Sequence, residues 1–206
     1  MSVLVFIETS EGKARKSSLE AISYGVALGG DVTAVVLGAC GKPELEQLGK
    51  YGAKKVIHAS DERLNGGVIQ AYASVIAQVM KQEGNDTLVM ANSSLATPVA
   101  ARVSVKVGAS LATNVTELPK GNTFKRSIYT GKAFSSLELR NTKRIITLRK
   151  NAAEAKETGG TAPIVSFSPS LTDADFAAKI TSSEKATGEV LLPEASIVVS
   201  GGRGMK

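Results

Sequence analysis

A chain of 206 residues with 43% apolar content can bury the core of one large domain, or of one domain and part of a second. Its single cysteine, Cys40, excludes a disulfide framework, and with His58 as the only histidine a typical zinc centre is excluded too. No run reaches the ~18 apolar residues that span a bilayer, and the net charge of +6 is unevenly spread: residues 120–156 hold ten basic and two acidic residues.

Residues 2–7 (Ser-Val-Leu-Val-Phe-Ile) form a continuous apolar run, the pattern of a strand covered on both faces of a parallel sheet. A polar stretch follows, and Ser17 or Ser18 is expected to cap a helix through Leu28, closed by Gly29-Gly30. Residues 32–37 read as a second strand. Pro43 then suits the first turn of a short helix through about Tyr51, with Gly52 as its stop, and residues 55–58 read as a third strand. The clearest helix is 67–82, where Val68, Ile69, Tyr72, Val75, Ile76, Val79 and Met80 recur at three- and four-residue spacing and Gly84 ends the run. Residues 87–91 give a fourth parallel strand, and Thr97-Pro98 starts a helix that ends near Gly108. This alternation predicts a parallel sheet with helices on both faces and right-handed crossovers.

From Asn114 the rhythm changes. Four apolar-alternating runs, 114–118, 123–129, 132–139 and 144–148, are separated by turns too short for helices, so an antiparallel meander is expected beside the parallel sheet. Residues 151–161 read as a loop or weak helix. After Pro163 come a short strand, a polar stretch over 168–188 and a last apolar strand, which together make an extended arm.

Catalytic constellations are sparse. His58 sits at a strand end, where a locally bonded or solvent-facing ring is the simpler state than a general base. Cys40 reads as a small apolar residue at a strand end, and the acidic pairs Asp61-Glu62 and Asp173/Asp175 as surface or cap residues. No P-loop is present, and no G-x-G-x-x-G follows the first strand. The loop 91–96 (Ala-Asn-Ser-Ser-Leu-Ala) could hold a ligand at the carboxyl edge of the sheet or simply make a tight turn into a helix. The basic window could meet a phosphate backbone, an acidic partner or only water; its interleaved aromatics, Phe124, Tyr129 and Phe134, are few for nucleic acid. The chain ends in an apolar strand pattern, Ala195-Ser196-Ile197-Val198-Val199, running into Ser200-Gly201-Gly202-Arg203-Gly204. This is a glycine-rich turn of the kind that offers backbone N–H groups to a phosphate at a helix start, and the sequence stops before that helix.

Several segments together resemble one family: the opening strand ending in Glu8, Val35-Val36-Leu37-Gly38, Tyr51-Gly52-Ala53-Lys54-Lys55-Val56, the helix entry from Asn92-Ser93-Ser94 to Ala101-Arg102, Ile128-Tyr129-Thr130-Gly131-Lys132-Ala133, and 195–204. The whole chain is similar to the N-terminal domain of the electron transfer flavoprotein α subunit. It departs from that pattern at Leu148-Arg149-Lys150-Asn151, where the family reads closer to T-x-R-P.

The resemblance implies an α/β fold: a parallel-sheet, nucleotide α-hydrolase-like (Rossmann-like) three-layer domain over 1–188 with its antiparallel meander and arm. Residues 189–206 would then be the first strand and glycine loop of a C-terminal FAD-binding domain not contained in the sequence. It implies a heterodimer with an electron transfer flavoprotein β subunit. That pair passes electrons through FAD from acyl-CoA and related dehydrogenases to a quinone oxidoreductase or another acceptor, as a carrier rather than a catalyst by itself. By the same resemblance the FAD contacts fall on Arg203, Gly202, Gly201 and Ser200; Arg203 suits a phosphate or flavin oxygen because its charge is permanent and its donors are several. No catalytic residue, metal, nucleic acid or membrane insertion is expected. A start directly at the first strand suggests a bacterial cytoplasmic protein, whereas a mitochondrial matrix form would carry a transit peptide. The alternative is a stand-alone nucleotide-binding regulatory module of universal-stress type, which would want a glycine phosphate motif after the fourth strand, where 91–96 has none.

Overall fold

β1 (Ser2–Ile7) is apolar on both of its faces, so it can only sit at the centre of a sheet covered on each side, and it does. The structure is a computed structural model that describes residues 1–182, 195, 197–202 and 204. After β1 come two-residue strands β2 (Thr9–Ser10) and β3 (Lys13–Ala14), paired as a small antiparallel ribbon, then α1 (Lys16–Ala27), β4 (Asp31–Leu37), α2 (Lys42–Gln47) and β5 (Lys55–Ala59). The chain continues through α3 (Ile69–Glu83), β6 (Thr87–Ala91), α4 (Ala96–Val107), β7 (Ser110–Val115), β8 (Thr123–Ile128), β9 (Ala133–Glu138), β10 (Arg144–Leu148) and β11 (Ile164–Ser166).

A nine-stranded sheet runs β11-β5-β4-β1-β6-β10-β7-β8-β9. All its pairings are parallel except β7 with β8 and β8 with β9. Val3, Val5 and Ile7 meet α1 through Leu19, Ile22 and Tyr24, whereas Leu4 and Phe6 meet α3 and α4 through Tyr72, Ile76 and Val99. The result is the expected three-layer, Rossmann-like α/β fold. Phe6 and Tyr72 pack edge to face with centroids 5.9 Å apart, a favoured aromatic geometry.

Two expectations are corrected. Residues 144–148 do not close a four-strand meander: β10 slots in parallel between β6 and β7, leaving only β7, β8 and β9 in the antiparallel part. Burial is the reason. Ile145 to Leu148 are all buried, as a strand under helices on both faces requires, whereas β9 alternates between half-buried and exposed. Nor do Ser17 and Ser18 cap α1, whose N-cap is Arg15 with no side-chain cap bond. Ser18 Oγ instead accepts the backbone N–H of Glu8 at 2.9 Å, so the hydroxyl ties the helix to the end of β1.

The arm after β10 folds back over the domain. β11 adds to the β5 edge, and a short 3-10 turn over 173–176 packs on α3. Asp175 holds it there: its carboxylate accepts Ser74 Oγ at 2.5 Å and the N–H and hydroxyl of Thr172 at 2.9 and 3.0 Å. Burial alone would push Asp175 up, but the bonds from Ser74 and Thr172 and the charge of Lys106 outweigh it and hold the carboxyl below its ordinary 3.8. A carboxyl lowered in the folded state stabilises fully above pH 3.8 and loses that contribution as pH falls through the lowered value. The protection of residues 164–176 against hydrogen exchange, corrected for the intrinsic rate at each pH, should therefore fall in that acid range and stay high at neutral pH. Asp175→Asn should loosen the arm by about 1 kcal/mol at neutral pH, read by the same exchange.

Among the described residues no helix is long and apolar enough to cross a membrane.

Candidate functional site at the carboxyl edge of the sheet

The chain leaves β1 towards β4 on one side and adds β6 on the other, so the order of the sheet reverses at β1 and β6. In open α/β sheets the crevice outside the carboxyl ends of such strands is the usual ligand site. Here it is a cleft of ≈ 860 Å³ whose walls include Glu8, Glu11, Arg15, Tyr72 and Leu95, with Ile180 of the arm closing one side.

The polar groups at this edge are already matched to one another. Glu8, 9% exposed, accepts Ser93 Oγ at 2.5 Å and pairs with Arg15 Nε at 3.3 Å. Ser93 Oγ in turn accepts the N–H of Ala96 at 2.9 Å and so starts α4. Asn92 Oδ1 accepts both Thr97 Oγ1 and Thr147 Oγ1 at 3.0 Å, and Thr147 Oγ1 accepts the N–H of Asn114 at 3.0 Å where the β7–β10 register shifts. Thus Asn92 and Ser93 are spent on the fold where 91–96 turns into α4, while Ser94 and Leu95 line the cleft. Thr147→Val, which keeps the shape and removes the hydroxyl, should lower stability by about 1.5 kcal/mol in chemical denaturation, because Asn92 and the Asn114 N–H both lose a buried partner.

Several titratable groups near this edge are tied into the fold. Tyr72 donates to the Leu64 carbonyl at 2.8 Å, and burial, helped by the Glu8 charge, pushes its phenol up to about 12. His58 Nε2 lies 2.9 Å from the Gly38 carbonyl, so that nitrogen carries the proton and ties β5 to the end of β4. The Cys40 thiol donates to the Gly12 carbonyl at 3.4 Å and is pushed up by burial and by Glu44. Asp61 caps its 3-10 turn through the Arg63 N–H, as its place in the sequence suggested. Among the described residues no group of three His, Cys, Asp or Glu could hold a metal ion.

The diphosphate of an FAD does not fit this cleft: two carboxylates, Glu8 and Glu11, line it and its arginine is held by Glu8. The donor set of the C-terminal loop does fit. Ser200, Gly201 and Gly202 are exposed, offer a hydroxyl and backbone N–H groups, and a Cβ built on Gly202 meets nothing within 4 Å. Arg203 lies outside the described residues. Of the expected last strand, residues 195 and 197–199 are described and form no strand, with Ile197 and Val199 strongly exposed at 84% and 92%.

The family model described as "Electron transfer flavoprotein domain" matches residues 3–172, which takes in the large sheet from Val3 of β1 through β11. The chain belongs to the electron transfer flavoprotein domain family. Within that family it is similar to the electron transfer flavoprotein subunit alpha of Bacillus subtilis (strain 168), 31% identical over 99% of this chain and 65% of the relative. It is also similar to the probable mitochondrial electron transfer flavoprotein subunit alpha of Caenorhabditis elegans, 29% identical over 100% of this chain and 62% of the relative. The subunit alpha of Paracoccus denitrificans is 27% identical over 100% and 66%. The chain thus spans a little under two thirds of the length of these electron transfer flavoprotein subunits.

Proposed function

We propose that this chain is the N-terminal α/β domain of an electron transfer flavoprotein α subunit, with residues 189–206 opening a second, FAD-binding domain. The observation that carries the reading is the match to α subunits from bacteria and a mitochondrion along nearly the whole chain, its glycine loop included. When bound, FAD supplies a flavin that accepts and releases electrons. Ser200, Gly201, Gly202 and Arg203 would hold it, the serine hydroxyl and glycine N–H groups on phosphate oxygens and the guanidinium on a phosphate or flavin oxygen. The exposed Ile197 and Val199 suit a strand whose neighbours belong to that second domain.

In this reading the α/β domain is a scaffold that packs against an electron transfer flavoprotein β subunit. The heterodimer carries electrons from acyl-CoA and related dehydrogenases to a quinone oxidoreductase or another acceptor, without making or breaking substrate bonds of its own. It would work in the bacterial cytoplasm, or in the mitochondrial matrix of a eukaryote. A nucleotide-binding module of universal-stress type has no observation in its favour, since the crevice is lined by paired carboxylates and hydroxyls. Co-expression with a β subunit tests the proposal. The two chains should co-purify and the complete pair should show flavin absorbance that Arg203→Ala reduces; failure to associate, or flavin held tightly by residues 1–182, would overturn it.

A further inference from the structure

The turn between β8 and β9 is built against the preferences of its residues. Tyr129 and Thr130, neither of them glycine, both take left-handed backbone, with φ of +49° and +53°, before Gly131 at +95°. Such conformations persist in bulky residues only where the surroundings impose them, and they concentrate at functional positions. Here the turn is held by local bonds, Thr130 Oγ1 and the Lys132 N–H both donating to the Tyr129 carbonyl at 2.7 and 3.1 Å. What the strain achieves is exposure: Tyr129 stands 77% exposed, and Phe134 54%.

Around it the charge is one-sided. Gly131 abuts Arg149, a Cβ built there lying 3.5 Å from its guanidinium, and Arg149 and Lys150 line a hollow of ≈ 440 Å³ with Lys125, Phe134 and Glu117. Lys125 is paired to Glu117 at 3.3 Å, while Lys132, Arg149 and Lys150 have no ion pair among the described residues. Residues 120–156 carry a net +8, which an acidic partner surface would complement. Lys125 Nζ lies 5.0 Å over the Phe134 ring, which closes that face to a stacked base and disfavours nucleic acid. A lone projecting tyrosine among arginine and lysine is the composition of a protein–protein anchor.

We propose that Tyr129, presented by the strained turn 129–131 and flanked by Lys132, Arg149 and Lys150, is the anchor by which this chain docks into an apolar, acid-rimmed socket on its partner subunit. The inference rests on the heterodimer reading above. It is tested with the full chain and the β subunit by measuring association against salt for the unsubstituted chain and for Tyr129→Gly, Arg149→Glu and Val105→Ala.

Tyr129→Gly should fold with equal or higher thermal stability, since glycine takes positive φ freely, yet associate roughly tenfold or more weakly. Arg149→Glu should weaken association and flatten its salt dependence. Val105→Ala, on an exposed apolar residue of α4, should change nothing. Association that Tyr129→Gly leaves within about twofold overturns the anchor alone, whereas no association of the unsubstituted chain with the β subunit overturns the subunit reading and the anchor with it. Tyr129-dependent binding to a short single-stranded oligonucleotide or to anionic vesicles, in place of the β subunit, would equally overturn the protein socket.

Discussion

Glu8→Ala should lower the unfolding free energy by roughly 2 to 3 kcal/mol, and Glu8→Gln by about 1 kcal/mol. Glu8 is the first residue beyond β1, and its carboxylate is the hub of the crevice: one oxygen accepts the Ser93 hydroxyl and the other faces Arg15. Alanine leaves a buried hydroxyl without its acceptor and removes the Glu8 charge that faces the Arg15 guanidinium. Because Ser93 also starts α4 through the Ala96 N–H, loosening Ser93 spreads to a helix end. Glutamine keeps an acceptor for Ser93 and loses only the charge, which a partly exposed arginine can recover from water. Chemical denaturation with an unchanged slope would measure both; equal effects of the two variants would show that the charge, not the acceptor, holds the crevice together.

Gly49→Ala should cost about 3 kcal/mol and open the arm to proteolysis between residues 150 and 165. A Cβ on Gly49 would lie 2.6 Å from the Ala162 nitrogen and 2.7 and 2.9 Å from the Thr161 carbonyl carbon and Cα. These are backbone atoms, and they cannot swing away as a side-chain tip does. On one side the Thr158 and Gly159 N–H groups donate to the Lys50 carbonyl, and on the other the Val56 N–H donates to the Pro163 carbonyl as β11 begins. The added methyl therefore has to displace the strand that completes the β5 edge. Limited proteolysis followed by mass analysis should find cleavage in the variant at a protease level that leaves the parent chain whole; an intact arm would mean that the segment after α2 gives way instead.

Elements whose pattern is local are legible in the sequence itself. α3 runs Ile69–Glu83 because its apolar residues keep helical spacing and Gly84 takes the left-handed conformation, φ +65°, that ends it. β1 was legible because a strand apolar on both faces has only one place to go. β10 was not, since Ile145, Ile146 and Leu148 suit an edge meander and a central strand alike, and what selects the slot between β6 and β7 is burial contributed by α4 and the far face. The crevice was less legible still. The loop 91–96 is placed at this edge by the sequence, but its bonds are not: Glu8 and Ser93 are 85 residues apart, and Asn92 and Thr147 are 55 apart. Asp175, a surface or cap residue by its sequence, is a cap but a buried one, and its bond to Ser74, 101 residues away, depends on where the arm lies. The serines in the first turn of α1 mislead for a related reason: the Ser18 hydroxyl bonds the Glu8 N–H at the end of β1 rather than an N–H of its own helix.

The late arrival of β10 also governs how the chain can fold during synthesis. β6 and β7 are made 57 and 34 residues before the strand that joins them, counted at the Arg144 pairings with Thr87 and Ser110, and in the finished sheet they pair only through it. Until residues 144–148 emerge, the nascent chain holds two half-sheets, each with an unpaired apolar edge, and the contacts that unite them span more than 30 residues. A chain released before residue 144 should therefore leave the facing edges of β6 and β7 open to edge-to-edge pairing, and aggregate more readily than the chain that carries β10.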